Sequence, residues 1–177
     1  SMTVTGNYND GISSKDGLVI SAGSVDVTAA DDGIRGKDYL VVEAGQINVQ
    51  AQGDGLVSDN EEDATRGYIS IEAGTFEITA AGDAIQAATD VLISAGDFNL
   101  ITGGGSNNRA SEATSTKGIK GVVSVSIDGG SFVIQSADDA IHSNNSITIN
   151  AGSFNLASGD DGIHADTLIT INNGMID

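Results

Sequence analysis

The chain has no cysteine, no proline and no tryptophan, and only seven lysines and arginines stand against 25 aspartates and glutamates among its 177 residues. Each shortage removes a class of protein. Without cysteine there is no disulfide framework and no thiolate chemistry, and two histidines alone are too few for a structural zinc site. A formal charge of −18 repels a phosphate backbone and an anionic bilayer, so neither nucleic acid nor a membrane surface is an expected partner. No apolar run approaches the ~18 residues of a membrane span. What the chain does have is 39% hydrophobic residues, too many for a disordered acidic polymer, and 24 glycines. Its length suits a single domain, 1–177.

A tripeptide Asp-Gly/Ala-Ile/Leu recurs at Asp10, Asp32, Asp54, Asp83, Asp139 and Asp161, with the variant Lys117-Gly118-Ile119 between the fourth and fifth. The steps are 22, 22, 29, 34, 22 and 22 residues. Thirteen residues after six of these seven starts comes the glycine that separates two apolar pairs: Gly23, Gly45, Gly96, Gly130, Gly152 and Gly174. The exception is Gly74, displaced by an insertion at 59–65; a second insertion occupies 103–116. A fixed period of this size is the signature of a solenoid. Within each copy, apolar residues alternate on either side of the glycine, as in Leu40/Val42 then Ile47/Val49, or Val125/Ile127 then Phe132/Ile134. Two short strands per copy, each with one buried face, predict an all-β chain. The fold expected is a right-handed parallel β-helix of about seven 22-residue coils. All four phenylalanines fall in one column of its core. The last copy stops just after its second strand begins, so the chain is expected to be a fragment of a longer one.

Stacking places equivalent residues about 4.8 Å apart, which collects Asp10, Asp32, Asp54, Asp83, Lys117, Asp139 and Asp161 into a column. The preceding position adds Asp31, Asp138 and Asp160. Two carboxylates that close repel by roughly 3–4 kcal/mol at an effective dielectric near 20. Divalent cations are the simplest relief, and calcium suits clustered carboxylates and turn carbonyls best. The expected ligands are Asp31, Asp32, Asp54 and Asp83 at one end and Asp138, Asp139, Asp160 and Asp161 at the other. The run Asp59-Asn60-Glu61-Glu62-Asp63 is a further candidate. Lys117 and Lys120 read either as neutralisers of the column, or as a base or a clamp for an anionic sugar. Tyr39 and Tyr68, at one position in successive copies, suit the apolar face of a sugar or cover the edge of the core. His142 and His164, a second adjacent pair, read either as hydrogen-bonding groups for a sugar ligand or as a surface ladder. No nucleophile elbow and no phosphate loop is present. The outward row Asp26, Asn48, Glu77, Asn99, Val133, Asn155 is too mixed for an ice-binding face.

The motifs Asp31-Asp32-Gly33-Ile34, Asp138-Asp139-Ala140-Ile141-His142 and Asp160-Asp161-Gly162-Ile163-His164, with Thr116-Lys117-Gly118-Ile119-Lys120, resemble a family of secreted bacterial carbohydrate-binding β-helix proteins. Those are associated with cellulose and acidic sugars such as polygalacturonate, and are similar to the calcium-dependent family-nine pectate lyases. The resemblance implies a secreted or cell-surface protein that binds calcium and plant cell-wall polysaccharide. Carried over, Asp138, Asp139, Asp160 and Asp161 are the metal ligands, and Lys117 or Lys120 the candidate base of a lyase acting by β-elimination. The lyase cluster has a further Asp three residues after its doublet, where this chain has His142 or His164. That departure favours binding over catalysis. A polysaccharide-binding module is therefore the first expectation, a lyase the second, and a stalk without a sugar ligand the third.

Overall fold

The computed structural model describes residues 1–109 and 114–176. Among them there is no helix, and every strand pairs in parallel with its equivalent in the next coil. Three sheets run the length of the molecule, so the parallel β-helix is confirmed. One sheet is built of six-residue strands such as Thr75–Ala80 and Asp97–Thr102. A second uses four-residue strands such as Tyr39–Val42 and Tyr68–Ile71. The third is made of three-residue strands such as Ile34–Gly36 and Ile141–Ser143. Seven coils contain all three, and Met2–Gly6 adds one leading strand to the six-residue sheet.

The three-residue sheet corrects the expectation of two strands per copy. Its strands begin on the apolar residue of the tripeptide itself, with Ile34, Leu56, Ile85, Ile119 and Ile141 all pointing into the core. The next inward position holds only small residues, Gly36, Ser58, Ala87, Gly121 and Ser143. One large and one small inward residue make too short a signal for period-two alternation.

Alternation in the longer strands gives the core its columns. In Thr75–Ala80 the residues Phe76, Ile78 and Ala80 are buried while Thr75, Glu77 and Thr79 face out. Phe76, Phe98, Phe132 and Phe154 stack with ring centroids 4.6, 4.6 and 4.7 Å apart and planes within 4° of parallel, as the expected phenylalanine column requires. Burying each such ring stabilises the fold by about 1.5–3 kcal/mol. The corner before each six-residue strand turns on the glycine column, where φ runs from 109° at Gly23 to 139° at Gly96. A side chain is strained there whatever the space around it.

The first insertion packs against the second coil. Asp59 accepts from Arg35 at 2.6 Å, Arg66 donates to Asp38 at 2.5 Å, and Asn60 donates to the same Asp38 at 2.6 Å. Asp63 closes a local turn by accepting from Thr65 and pairs with Arg66 at 3.3 Å. These contacts tie the insertion to the coil. The second insertion opens on three glycines with positive φ, Gly103 to Gly105; its middle, residues 110–113, lies outside the described residues.

Candidate functional site

At the corner where the six-residue sheet passes into the three-residue sheet, the regular strand ladder is broken. Main-chain N–H groups there need other acceptors. The aspartate column supplies them. Asp54 N donates to Asp32 Oδ1 at 2.9 Å, Asp83 N to Asp54 Oδ1 at 2.7 Å, Lys117 N to Asp83 Oδ1 at 2.6 Å, and Asp161 N to Asp139 Oδ1 at 3.0 Å. One oxygen of each of these four carboxylates therefore stitches its coil to the next. Lys117 cannot do this for the coil above it, and there the doublet takes over: Asp139 N donates to Asp138 Oδ1 at 3.0 Å.

The second oxygens face the outward row of the three-residue sheet, where register aligns Gln86, Lys120, His142 and His164. Asp139 Oδ2 meets His142 Nδ1 at 2.8 Å and Asp161 Oδ2 meets His164 Nδ1 at 3.0 Å. The two imidazole centroids are 5.2 Å apart. Asp161 is the chief reason that the His164 pKa is raised. Asp83 is fully buried; its Oδ2 has no hydrogen-bond partner and faces Lys120 Nζ at 3.5 Å. Lys117 donates to Asp138 Oδ2. Burial pushes the Asp138 carboxyl up, and the Lys117 contact outweighs it and holds the group below the ordinary carboxylate value.

The other end of the column lacks such partners. Arg35 is turned toward Asp59. Burial, first, and the charges of Asp31 and Asp10 raise the Asp32 pKa. Burial followed by the charge of Asp83 pushes Asp54 to about 7. Asp31, Asp32 and Asp54 border a cavity of about 350 Å³ with Gln86 and Ser115. Ser115, which the sequence reading missed, donates to Asp83 Oδ1 at 2.7 Å. It sits in an insertion with no equivalent in other coils, so periodicity could not flag it.

Three of the expected metal ligands converge. Asp138, Asp139 and Asp160 present oxygens within 4.8 Å of one another. The set is all hard oxygen, which fits calcium rather than a softer transition metal. Asp139 can also join His142 and His164 in a mixed nitrogen and oxygen group. The tyrosines lie elsewhere, on the four-residue sheet. Tyr39 and Tyr68 stack at 5.7 Å with planes 17° apart, and the ring of Tyr39 also lies over Gly17, where an added Cβ would be 1.9 Å from Cζ.

An acidic β-helix with in-register side-chain rows defines a class of repeat protein whose binding surfaces extend along the helix axis. Residues 1–162 match the family model described as carbohydrate-binding domain-containing protein, and the chain belongs to that family. No curated protein and no solved structure matches it. A carbohydrate is therefore the partner that the family assigns.

Proposed function

We propose that the protein is a calcium-dependent binding module for cell-wall polysaccharide, with Asp138, Asp139, Asp160 and Asp161 holding the ion. The observation that carries this reading is the convergence of Asp138, Asp139 and Asp160 from two successive coils. Calcium takes six to eight oxygens, so the remaining positions are open to water or to a sugar carboxylate. Bridging of that kind lets a chain of charge −18 hold an acidic polymer such as polygalacturonate. The same family membership supports a neutral polymer such as cellulose as an alternative ligand, and export to the cell surface is the setting in which either is met.

Lyase chemistry has less support. Lys117 is engaged with Asp138, and Lys120 lies between Asp83 and Ser115, each 3.5 Å away. Neither ammonium is placed as a free base beside an open site.

Calorimetric titration with calcium, followed by pull-down on polygalacturonate and cellulose with and without chelator, tests the proposal. Asp138→Asn/Asp160→Asn should lose calcium binding and retention on polygalacturonate together. Wild-type protein that takes up no calcium at millimolar concentration overturns the calcium reading. Ultraviolet-absorbing unsaturated product, lost in Lys117→Ala or Lys120→Ala, overturns binding without catalysis.

A further inference from the structure

The outer face of the six-residue sheet carries a trough that the acidic corner does not share. Its first wall is the row Asp26, Asn48, Glu77, Asn99, aligned strand by strand. Its second wall, two residues further along each strand, is Thr28, Gln50, Thr79. Together they enclose about 310 Å³ across five successive strands, from Thr3 to Ile101. Four strand spacings make the trough about 19 Å long, and two residues of rise set its walls about 6.6 Å apart.

We infer that this trough is a second saccharide site, which takes a neutral, extended polysaccharide lying along the helix axis with about one sugar residue per coil. The inference rests on the carbohydrate-binding assignment but is independent of calcium. Three properties point to that ligand. The repeat of an extended chain of pyranose rings is close to one coil spacing, so each ring meets an equivalent pair of wall residues. The wall groups are the planar amides, carboxylates and hydroxyls that exchange hydrogen bonds with sugar hydroxyls.

They are also held in place before a ligand arrives. Asn48 Nδ2 donates to Asp26 Oδ1 at 2.6 Å, and Asn99 Nδ2 donates to Glu77 Oε2 at 2.8 Å. Each pair keeps a second N–H and a second carboxylate oxygen for the ligand, with less side-chain entropy left to lose on binding.

Charge selects against acidic sugars here. Asp26 and Glu77 stand in the wall, and none of the seven lysines and arginines lies on a six-residue strand. A uronate polymer would meet uncompensated repulsion, whereas hydroxyls accept and donate freely. The polar rows are also interrupted where the trough ends. In the next coil Val133 stands in register with Asn99, 40% exposed, and Ile101 closes the second wall.

The test is calorimetric titration of the whole chain, in chelator, with three neutral hexasaccharides: cellohexaose, mannohexaose and xylohexaose. At least one should bind. Asn48→Ala/Asn99→Ala should weaken it tenfold or more. Asn99→Asp, which keeps the shape and adds a third negative charge, should weaken it as well and serves if the double variant does not fold. Calcium-dependent retention on polygalacturonate should be unchanged in both. No binding of any of the three by wild type, or wild-type affinity in folded trough variants, overturns the inference. Asp138→Asn/Asp160→Asn separates the two readings: it should leave hexasaccharide binding intact, and loss of hexasaccharide binding in this folded variant would overturn the trough as the site.

Discussion

Asp54 offers the sharpest test of how the acidic column is held. Burial and the neighbouring Asp83 charge push its pKa from 3.8 to about 7. Between those values the folded chain binds more protons than the unfolded one, so stability falls as pH rises from about 4 to about 7 and is level above that. A gap of about 3 units at 1.36 kcal/mol each gives roughly 4 kcal/mol lost at pH 8. That figure is a ceiling, because water screening and local relaxation remove part of it. Asp54→Asn cannot ionise, and its side-chain oxygen can still accept the Asp83 N–H. In chelator, urea unfolding should find the variant equal to wild type near pH 4 and about 2–4 kcal/mol more stable at pH 8. A difference that does not change with pH, or a variant less stable at pH 8, refutes the reasoning. Calcium held between Asp31, Asp32 and Asp54 would narrow or cancel the gap: at a hundred times its Kd it adds about 2.7 kcal/mol to wild type alone.

Phe98→Ala removes a buried ring that lies 4.6 Å from Phe76 on one side and 4.6 Å from Phe132 on the other; it should cost about 3–5 kcal/mol in urea unfolding, and a loss under about 1 kcal/mol would contradict the column as a packed core. Gly96→Ala combines φ of 139° with a Cβ only 2.9 Å from the Phe98 ring, whereas Gly23→Ala has φ of 109° and open space around it. Both should destabilise, Gly96→Ala more, and equal melting points would show that the ring contact is irrelevant. His164, its pKa raised chiefly by Asp161, stabilises the fold when charged. That contribution is complete below its unfolded pKa near 6.5 and is lost as pH rises through the higher folded value. In calcium-free buffer His164→Gln should therefore melt below wild type at pH 5.5 and approach it at pH 8; a gap that widens with pH would reverse the sign of the argument.

The period, the insertions and the columns were legible because a 22-residue step brings chemically equivalent residues into register whatever the coil's detailed shape. Phe76 to Phe154 and Asp32 to Asp83 could be aligned by arithmetic alone. What arithmetic cannot show is direction within a rung. The tyrosine pair was placed in register, but only the coil shows Tyr39 lying against Tyr68 and over Gly17. Arg35 shares a row with Lys120, His142 and His164, yet an acid in the insertion, Asp59, turns it away from the column. The mixed row from Asp26 to Asn99 looks uninformative as a string. It becomes one wall of a trough only when a second row stands beside it.

The column itself shows why proximity of charges was an incomplete argument. Repulsion between stacked carboxylates demands positive partners, and a cation is one kind. The main-chain N–H of the next coil is another, already present at Asp54, Asp83, Lys117 and Asp161. Each such bond uses one oxygen and leaves the other. Where the row beside it carries Lys120, His142 or His164, that second oxygen has a neighbour; at Asp32 and Asp54 the row holds Arg35, turned away, and Val57. The aspartates are thus required by the coil before any ligand is considered, which explains an acid in almost every copy. Calcium, as proposed, is therefore an addition to a column that the N–H ladder already holds. Its proposed place is to join the coil to an acidic sugar, while the N–H ladder joins coil to coil.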